Sequence, residues 1–279
     1  MDKSLPGQQL DTDIGALGTG APPARRALQV ALKVPEITIF FWIIKLLTTA
    51  MGESTSDFLV YTINPYVAVI LGFIGFVIAL ALQLSVRRYI AWIYWLAVLM
   101  VAVFGTMAAD VLHIVLKVPY IDSSILFAVV LAVVFLGWYA VERTLSIHSI
   151  YTLRRELFYW AAVVATFAMG TATGDLTAYT FGLGFFVSIL LFAALFLLPG
   201  LGYGLFRLNA IFAFWFAYIL TRPLGASFAD WFGKSKSVTG LGIGDGPVAA
   251  VLGILIVVFV AYLTFTRKDV QDLAAIARD

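Results

Sequence analysis

The chain has 279 residues, of which 62% are hydrophobic and only 12% charged, 18 basic and 16 acidic, for a formal net charge of +2. Soluble proteins carry about 25% charged residues, so this chain cannot wet the surface of a globule its size. That excludes a soluble enzyme and makes lipid the solvent for most of the chain. There are no cysteines, which removes disulfides, thiolate chemistry and Cys-ligated zinc. Only two histidines are present, His113 and His148, which argues against a His-rich metal site or bis-imidazole haem, and no cofactor is expected.

In chain order, residues 1–33 are polar and rich in Gly, Ala and Pro, with no apolar stretch. This composition reads as a disordered cytoplasmic tail, neither a signal peptide nor a span. A membrane domain over 34–266 follows, with eight apolar segments at 37–58, 66–84, 91–112, 124–141, 157–179, 181–198, 209–232 and 247–265. Each is near the roughly 20 residues an α-helix needs to cross a bilayer, whereas barrel strands would be about ten residues of alternating polarity. Turn formers punctuate the segments at Asn64-Pro65, Pro119, Gly182-Leu183-Gly184, Pro199-Gly200 and Gly246-Pro247. Residues 267–279 make a short polar tail able to continue the last helix.

Sorted by side, thirteen Lys and Arg flank one face of the spans and three, Lys117, Lys234 and Lys236, flank the other. The positive-inside rule then places both termini in the cytoplasm. The outer side carries Glu53, Asp57, Asp110, Asp122, Asp175, Asp230 and Asp245, seven acids against three bases.

The odd-numbered spans share one template: an aromatic, Trp, nine residues, Gly, three residues, a small residue, Asp. The copies are Phe41-Trp42 with Gly52, Ser56 and Asp57; Tyr94-Trp95 with Gly105, Ala109 and Asp110; Tyr159-Trp160 with Gly170, Gly174 and Asp175; and Phe214-Trp215 with Gly225, Ala229 and Asp230. Four of the seven Trp residues fall in this register without a gap. The repeating unit is a pair of helices, at about 37–84, 91–141, 157–198 and 209–265. Because each unit crosses twice, the copies run in the same direction and are related by an axis along the membrane normal. The fold class is therefore all-α, a polytopic transmembrane bundle of eight spans in four parallel two-helix repeats.

Each template position has a physical reading. Gly52, Gly105, Gly170 and Gly225, each with a small residue four later, let helix backbones approach closely, so the odd spans are expected around a centre with the even spans outside. Trp sits at the depth of an interfacial aromatic belt. Asp, fifteen residues on and about 22 Å along the helix, lies in the outer half of the membrane and borders the packed seam. One turn before it, three repeats place a polar residue, Glu53, Thr106 and Thr171, and the fourth Ala226.

A single carboxylate near an interface snorkels to water or caps a loop. Four at one repeated position read instead as a ring that binds or gates cations. Glu53 joins Asp57, Asp110, Asp175 and Asp230 because the first repeat alone runs Gly52-Glu53-Ser54-Thr55-Ser56-Asp57. Lys45 and Arg222 are the only bases inside spans. They read equally as an ion-pathway or gating element and as a structural ion pair, Lys45 across to an Asp, and Pro223 breaks the symmetry of the seventh span. Asp110 and His113 share a helix face, which could form half of a metal site but more often means nothing. The glycines of residues 240–246 are a flexible loop, since no strand precedes them and no Lys-Ser or Lys-Thr follows. No nucleotide, hydrolase or nucleic-acid motif is present, and nucleic acid is not an expected partner.

The run Lys33-Val34-Pro35-Glu36-Ile37-Thr38, with Phe41-Trp42 and Gly52-Glu53-x3-Asp57, resembles a bacterial family of uncharacterised membrane-anchored multi-pass proteins. The resemblance covers most of the membrane domain and implies the bacterial inner membrane. In design alone, the Gly-Glu element is similar to the repeated acidic motifs of small manganese and calcium exporters, without their Gly-Asp-Lys/Arg-Thr/Ser pattern. The leading expectation is a non-enzymatic transporter or channel-like permease for a small cation, a divalent metal or a proton, in contact with the lipid bilayer. A structural protein whose repeats only pack is the alternative, followed by an intramembrane enzyme; the oligomeric state stays open.

Overall fold

Side-chain oxygens start half of the long helices. Thr38 and Thr152 accept from backbone N–H groups three residues on, while Asn64 and Asn209 each accept from two successive N–H groups. The computed structural model describes residues 32–270. Among them are eight long helices and no strand: α1 Ile39–Thr62, α2 Pro65–Ser85, α3 Ala91–Asp110, α4 Tyr120–Glu142, α5 Leu153–Asp175, α6 Gly184–Phe206, α7 Ala210–Gly233 and α8 Asp245–Thr266. All but α1 are long and apolar enough to cross a membrane. α1, of 24 residues, carries Lys45, Glu53 and Asp57, all buried against other helices.

The expected turn at Pro199-Gly200 does not form: α6 runs through Pro199 to Phe206. Residues flanking Pro199 remain apolar, and in lipid a helix that unwound there would leave backbone groups without partners. The final helix also does not continue into the tail. It stops at Thr266, and Arg267 turns left-handed at φ 54°. Arg143 and Arg207 end α4 and α6 in the same conformation, φ 57° and 53°. The expected tails, 1–33 and 267–279, lie mostly outside the described residues. Within them, the N–H of Lys33 donates to Ile150 O, and Asp269 is buried, its carbonyl accepting from Glu36 N at 2.8 Å.

α1, α3, α5 and α7 pack as a closed ring, each touching the next and α7 returning to α1. Each even helix lies outside, mainly against the odd helix of the following repeat: α2 on α3, α4 on α5, α6 on α7, α8 on α1. The apolar windows of α3, α5 and α7 are 56–67% buried, those of the even helices 11–33%. One rule recurs at all four seams of the ring. The template Gly faces the residue seven after Trp on the next helix: Gly52 on Ala102, Gly105 on Phe167, Gly170 on Arg222, Gly225 on Thr49. A methyl group at Gly52, Gly170 or Gly225 would overlap that neighbour. The residue before Trp packs its ring, tilted, against the next repeat's Trp, at 5.6 Å for Phe41–Trp95, 5.7 Å for Tyr94–Trp160, 6.1 Å for Tyr159–Trp215 and 5.8 Å for Phe214–Trp42.

That second contact corrects the aromatic-belt reading of the Trp residues. Trp95, Trp160 and Trp215 are buried in the main core and Trp42 is half-buried against it. Aromatic pairs bury large areas, so the rings close one end of the bundle instead of facing headgroups. Residues 240–244 form a loop, as expected, but a tied one, while Asp245 and Gly246 open α8. Leu241, Gly242, Ile243 and Gly244 donate their N–H groups to Trp231, Lys234, Phe232 and Gly233, turning the chain back along the end of α7.

Candidate functional site

Residues four apart on a helix share a face, so positions 3, 7, 11 and 15 after Trp form one stripe on each odd helix. The contacts turn this stripe to the centre of the ring. Beginning at the Trp end, Phe41, Tyr94, Tyr159 and Phe214 fill the first layer, and the hydroxyls of Tyr94 and Tyr159 meet at 2.5 Å. Lys45, Val98, Val163 and Tyr218 form the next, all fully buried. The Lys45 ammonium is 3.9 Å from the Phe167 ring centre and 4.2 Å from that of Tyr218, with no hydrogen-bond acceptor. The expected Lys45–Asp pair is not formed. Its surroundings are aromatic faces, which stabilise a cation through their quadrupoles.

Arg222 occupies the next layer, fully buried. Its Nη2 donates to Glu53 Oε2 at 2.5 Å, to Thr171 Oγ1 at 2.6 Å and to Thr106 Oγ1, while Nη1 reaches Thr49 O at 3.4 Å. One guanidinium from α7 thus bonds to α1, α3 and α5, using the residue that each of those repeats places eleven after Trp. The fourth repeat has Ala226 there, leaving room for the arginine's partners. Thr106 Oγ1 lies 3.2 Å from the same Glu53 oxygen. Burying one charge alone costs several kcal/mol; here Glu53 and the hydroxyls satisfy the guanidinium, and Nε alone has no acceptor.

The Asp layer follows. Carboxylate oxygens of Glu53, Asp57 and Asp230, all buried, lie within 4.8 Å of one another. Asp110 and Asp175 are half-buried and interact electrostatically with Glu53, with Asp57 and with each other. All four template Asp residues therefore meet at one end. They do so by two routes. α1 and α7 pass through Asp57 and Asp230 as continuous α-helix, whereas α3 and α5 end at Asp110 and Asp175 and add one π-helical turn, Val111–Val115 and Leu176–Thr180. Such wide turns recur at functional sites.

The sequence reading missed Lys234. Its Nζ is 2.5 Å from Asp57 Oδ2 and 4.0 Å from Asp230 Oδ1, with the Tyr61 ring centre 5.1 Å away. Burial opposes its charge, but the Asp57 and Asp230 carboxylates outweigh that and hold the ammonium's pKa above its usual range. The repeat register contained the signal: Lys234 follows Asp230 by four and stands where Tyr61 and Tyr179 stand in other repeats. Asp245 joins the edge of the layer, beside Gly233. His113 does not. Its Nδ1 lies 3.0 Å from Val118 O and its Nε2 3.3 Å from Ser123 Oγ, and its ring packs against that of Tyr120, so the Asp110–His113 pair is no half-site.

A further ion pair lies at the Trp end. Glu156, fully buried, takes Lys33 Nζ at 2.5 Å and Gln83 Nε2 at 3.1 Å, pinning the segment before α1 across the bundle. A cavity of about 620 Å³ opens nearby, bordered by Ile37, Thr144, Ser146, His148, Asn209 and Phe214. It holds no carboxylate and is remote from the Asp layer.

Seven long apolar helices and a buried charged centre define a multi-pass, all-α membrane protein. Its family follows from the repeats. The model of the family described as Repeat of Unknown Function (DUF347) matches four times, at residues 40–89, 93–144, 158–207 and 213–269, and the chain belongs to that family. Each match contains one Trp–Gly–Asp template and one outer helix. No curated protein and no solved structure matches the chain.

Proposed function

We propose that this chain is a permease for a small cation, carrying its ion site in the Asp layer. In this reading α1 is also a span, so that eight spans in four parallel two-helix repeats surround an axis along the membrane normal. Both termini are cytoplasmic in the bacterial inner membrane, and the Asp layer faces outward.

The observation that carries the reading is the meeting of Glu53, Asp57, Asp110, Asp175 and Asp230 from all four repeats at one end of the ring, answered there only by Arg222 and Lys234 among the described residues. Carboxylates this close repel one another, and a cation or protons relieve that cost. Rings of acidic groups concentrate cations, and an all-oxygen donor set suits hard ions such as Mn²⁺, Mg²⁺ or Ca²⁺. Arg222 and the aromatic layer close the way to the Trp end, so passage requires that plug to rearrange.

The test is flux into proteoliposomes with Asp57, Asp110, Asp175 and Asp230 replaced by Asn, singly and together. The quadruple variant should lose cation flux; unaltered flux removes the ring from the mechanism. One observation favours a purely structural role: the Arg222 network ties four helices together. A panel of cations tested for thermal stabilisation separates the two, since an ion that binds only the folded state stabilises it by RT ln(1 + c/Kd) at free concentration c. Stabilisation by one ion supports the permease, and none across the panel supports the structural protein.

A further inference from the structure

We infer that Glu53, Asp57 and Asp230 form a site for one hard divalent cation, and that Lys234 is a tethered ammonium occupying that site until the ion displaces it. The inference rests on the reading of the Asp layer as cation-binding. It goes further in naming which carboxylates act, the size of ion and the group that competes.

Three observations converge. First, the oxygens of the three carboxylates lie within 4.8 Å of one another. Ligands around a Ca²⁺-sized ion at about 2.3–2.6 Å are at most about 4.6–5.2 Å apart, and those around smaller ions somewhat less. The spacing therefore admits such an ion with little movement. Second, Asp230 Oδ1 is buried without a hydrogen-bond partner, and the Lys234 ammonium reaches it only as a long ion pair at 4.0 Å, beyond hydrogen-bond distance. A carboxylate oxygen left short of its cation is accounted for if a different cation is meant to reach it. Third, Lys234 is placed to leave. It follows the last residue of α7, and its backbone is set by the glycine loop, Gly242 N donating to Lys234 O at 2.8 Å. Its side chain can swing outward without unwinding a helix. Two carboxylates, Asp57 and Asp230, face one ammonium. A divalent ion in its place balances their charge, with Glu53 shared between the ion and Arg222.

This pairing is peculiar to the seam between α7 and α1. The equivalent of Lys234 is Tyr61 in the first repeat, Ile114 in the second and Tyr179 in the third, so only the fourth repeat places a cation at this position.

The test uses the full purified chain in detergent and Mn²⁺ as probe, its free concentration read by electron paramagnetic resonance. Lys234→Met, neutral and close in shape, should bind one Mn²⁺ at least tenfold more tightly than the wild type. Lys234→Arg, which keeps the charge, should stay near wild type. Adding Asp57→Asn or Asp230→Asn to Lys234→Met should weaken binding at least tenfold, while Asp122→Asn, exposed in the first turn of α4, should not. Lys234→Met binding no tighter than wild type, or tight binding indifferent to Asp57 and Asp230, overturns the inference.

Because the Met variant can misfold when its carboxylates lose their cation, a second measurement uses wild-type protein. The rate at which a small amine-acylating reagent modifies Lys234, followed by mass spectrometry, should rise severalfold with Mn²⁺ and not with choline. An unchanged rate overturns the inference. Cation flux without this Mn²⁺ effect would refute the tethered ammonium and leave the permease standing. The Mn²⁺ effect without flux would do the reverse.

Discussion

The two ends of the helical ring are built from the same template positions and are held by different forces. At the Trp end, four repeats supply Phe41, Tyr94, Tyr159 and Phe214, and the interior closes by ring-on-ring packing with every group buried. At the Asp end, the same helices supply Asp57, Asp110, Asp175 and Asp230, whose charges repel and are answered only in part. Apolar rings at a symmetric position can share one contact rule. Like charges cannot, because one site between them holds one cation. Symmetry is therefore kept where packing is apolar and broken where charge is concentrated, at Arg222 and Lys234, both contributed by the fourth repeat.

The sharpest way to break this comparison is to separate the helices that both ends share. Gly170→Leu would drive a side chain into Arg222 and Pro223. Overpacking usually costs about 1–3 kcal/mol and more when backbones must part, so little folded protein should survive on fluorescence-detected size exclusion. Gly200→Leu and Gly204→Leu, where an added Cβ meets nothing within 4 Å, should elute as wild type. Next, Arg222→Met should cost about 3–5 kcal/mol by leaving Glu53 buried without its partner, and Glu53→Gln in the same chain should recover much of it in thermal melts.

The ends themselves should then diverge. Phe41→Ala at the Trp end should cost about 3–5 kcal/mol through the cavity it leaves. Asp175→Asn at the Asp end should change stability by less than about 1 kcal/mol, because it removes one of several repelling charges. A large loss for Asp175→Asn would show that the Asp layer is a packing element. The smallest effect concerns Asp269, outside the helices. Burial raises its carboxyl above the usual value, and the hydrogen bond from Tyr89 offsets this in part. An acid raised in the folded state favours folding while protonated, so that contribution is present below about pH 4 and lost as pH climbs through its folded value. Asp269→Asn should stay within about 1 kcal/mol of wild type and flatten the pH dependence of melting in that window.

Much of the fold is legible in the chain because lipid leaves few options. Apolar runs of span length must be helices, and the Trp–Gly–Asp register identifies the repeats and the helices that meet. The register also contains the layers: counting by four from the aromatic before Trp gives the Lys45, Arg222, Glu53 and Asp positions in turn, and counting once more gives Lys234. What sequence spacing does not give is partner choice. Lys45 and Arg222 are both intramembrane bases, yet one faces Phe167 and Tyr218 and the other Glu53, and nothing local distinguishes them. The Pro199 turn failed for a related reason, since a proline breaks a helix in water more readily than one whose surroundings offer no replacement hydrogen bonds.

By itself, the sequence determined the solvent, the helical class, the repeat and the concentration of acids at one template position. These follow from composition and periodicity, which act along one helix at a time. Only the tertiary structure decided that the Trp residues face inward, that a single arginine bonds to the three other odd helices, and that Lys234 sits among the carboxylates. Those outcomes depend on which helix lies next to which, and a charge chooses its partner by distance across the ring, not by distance along the chain.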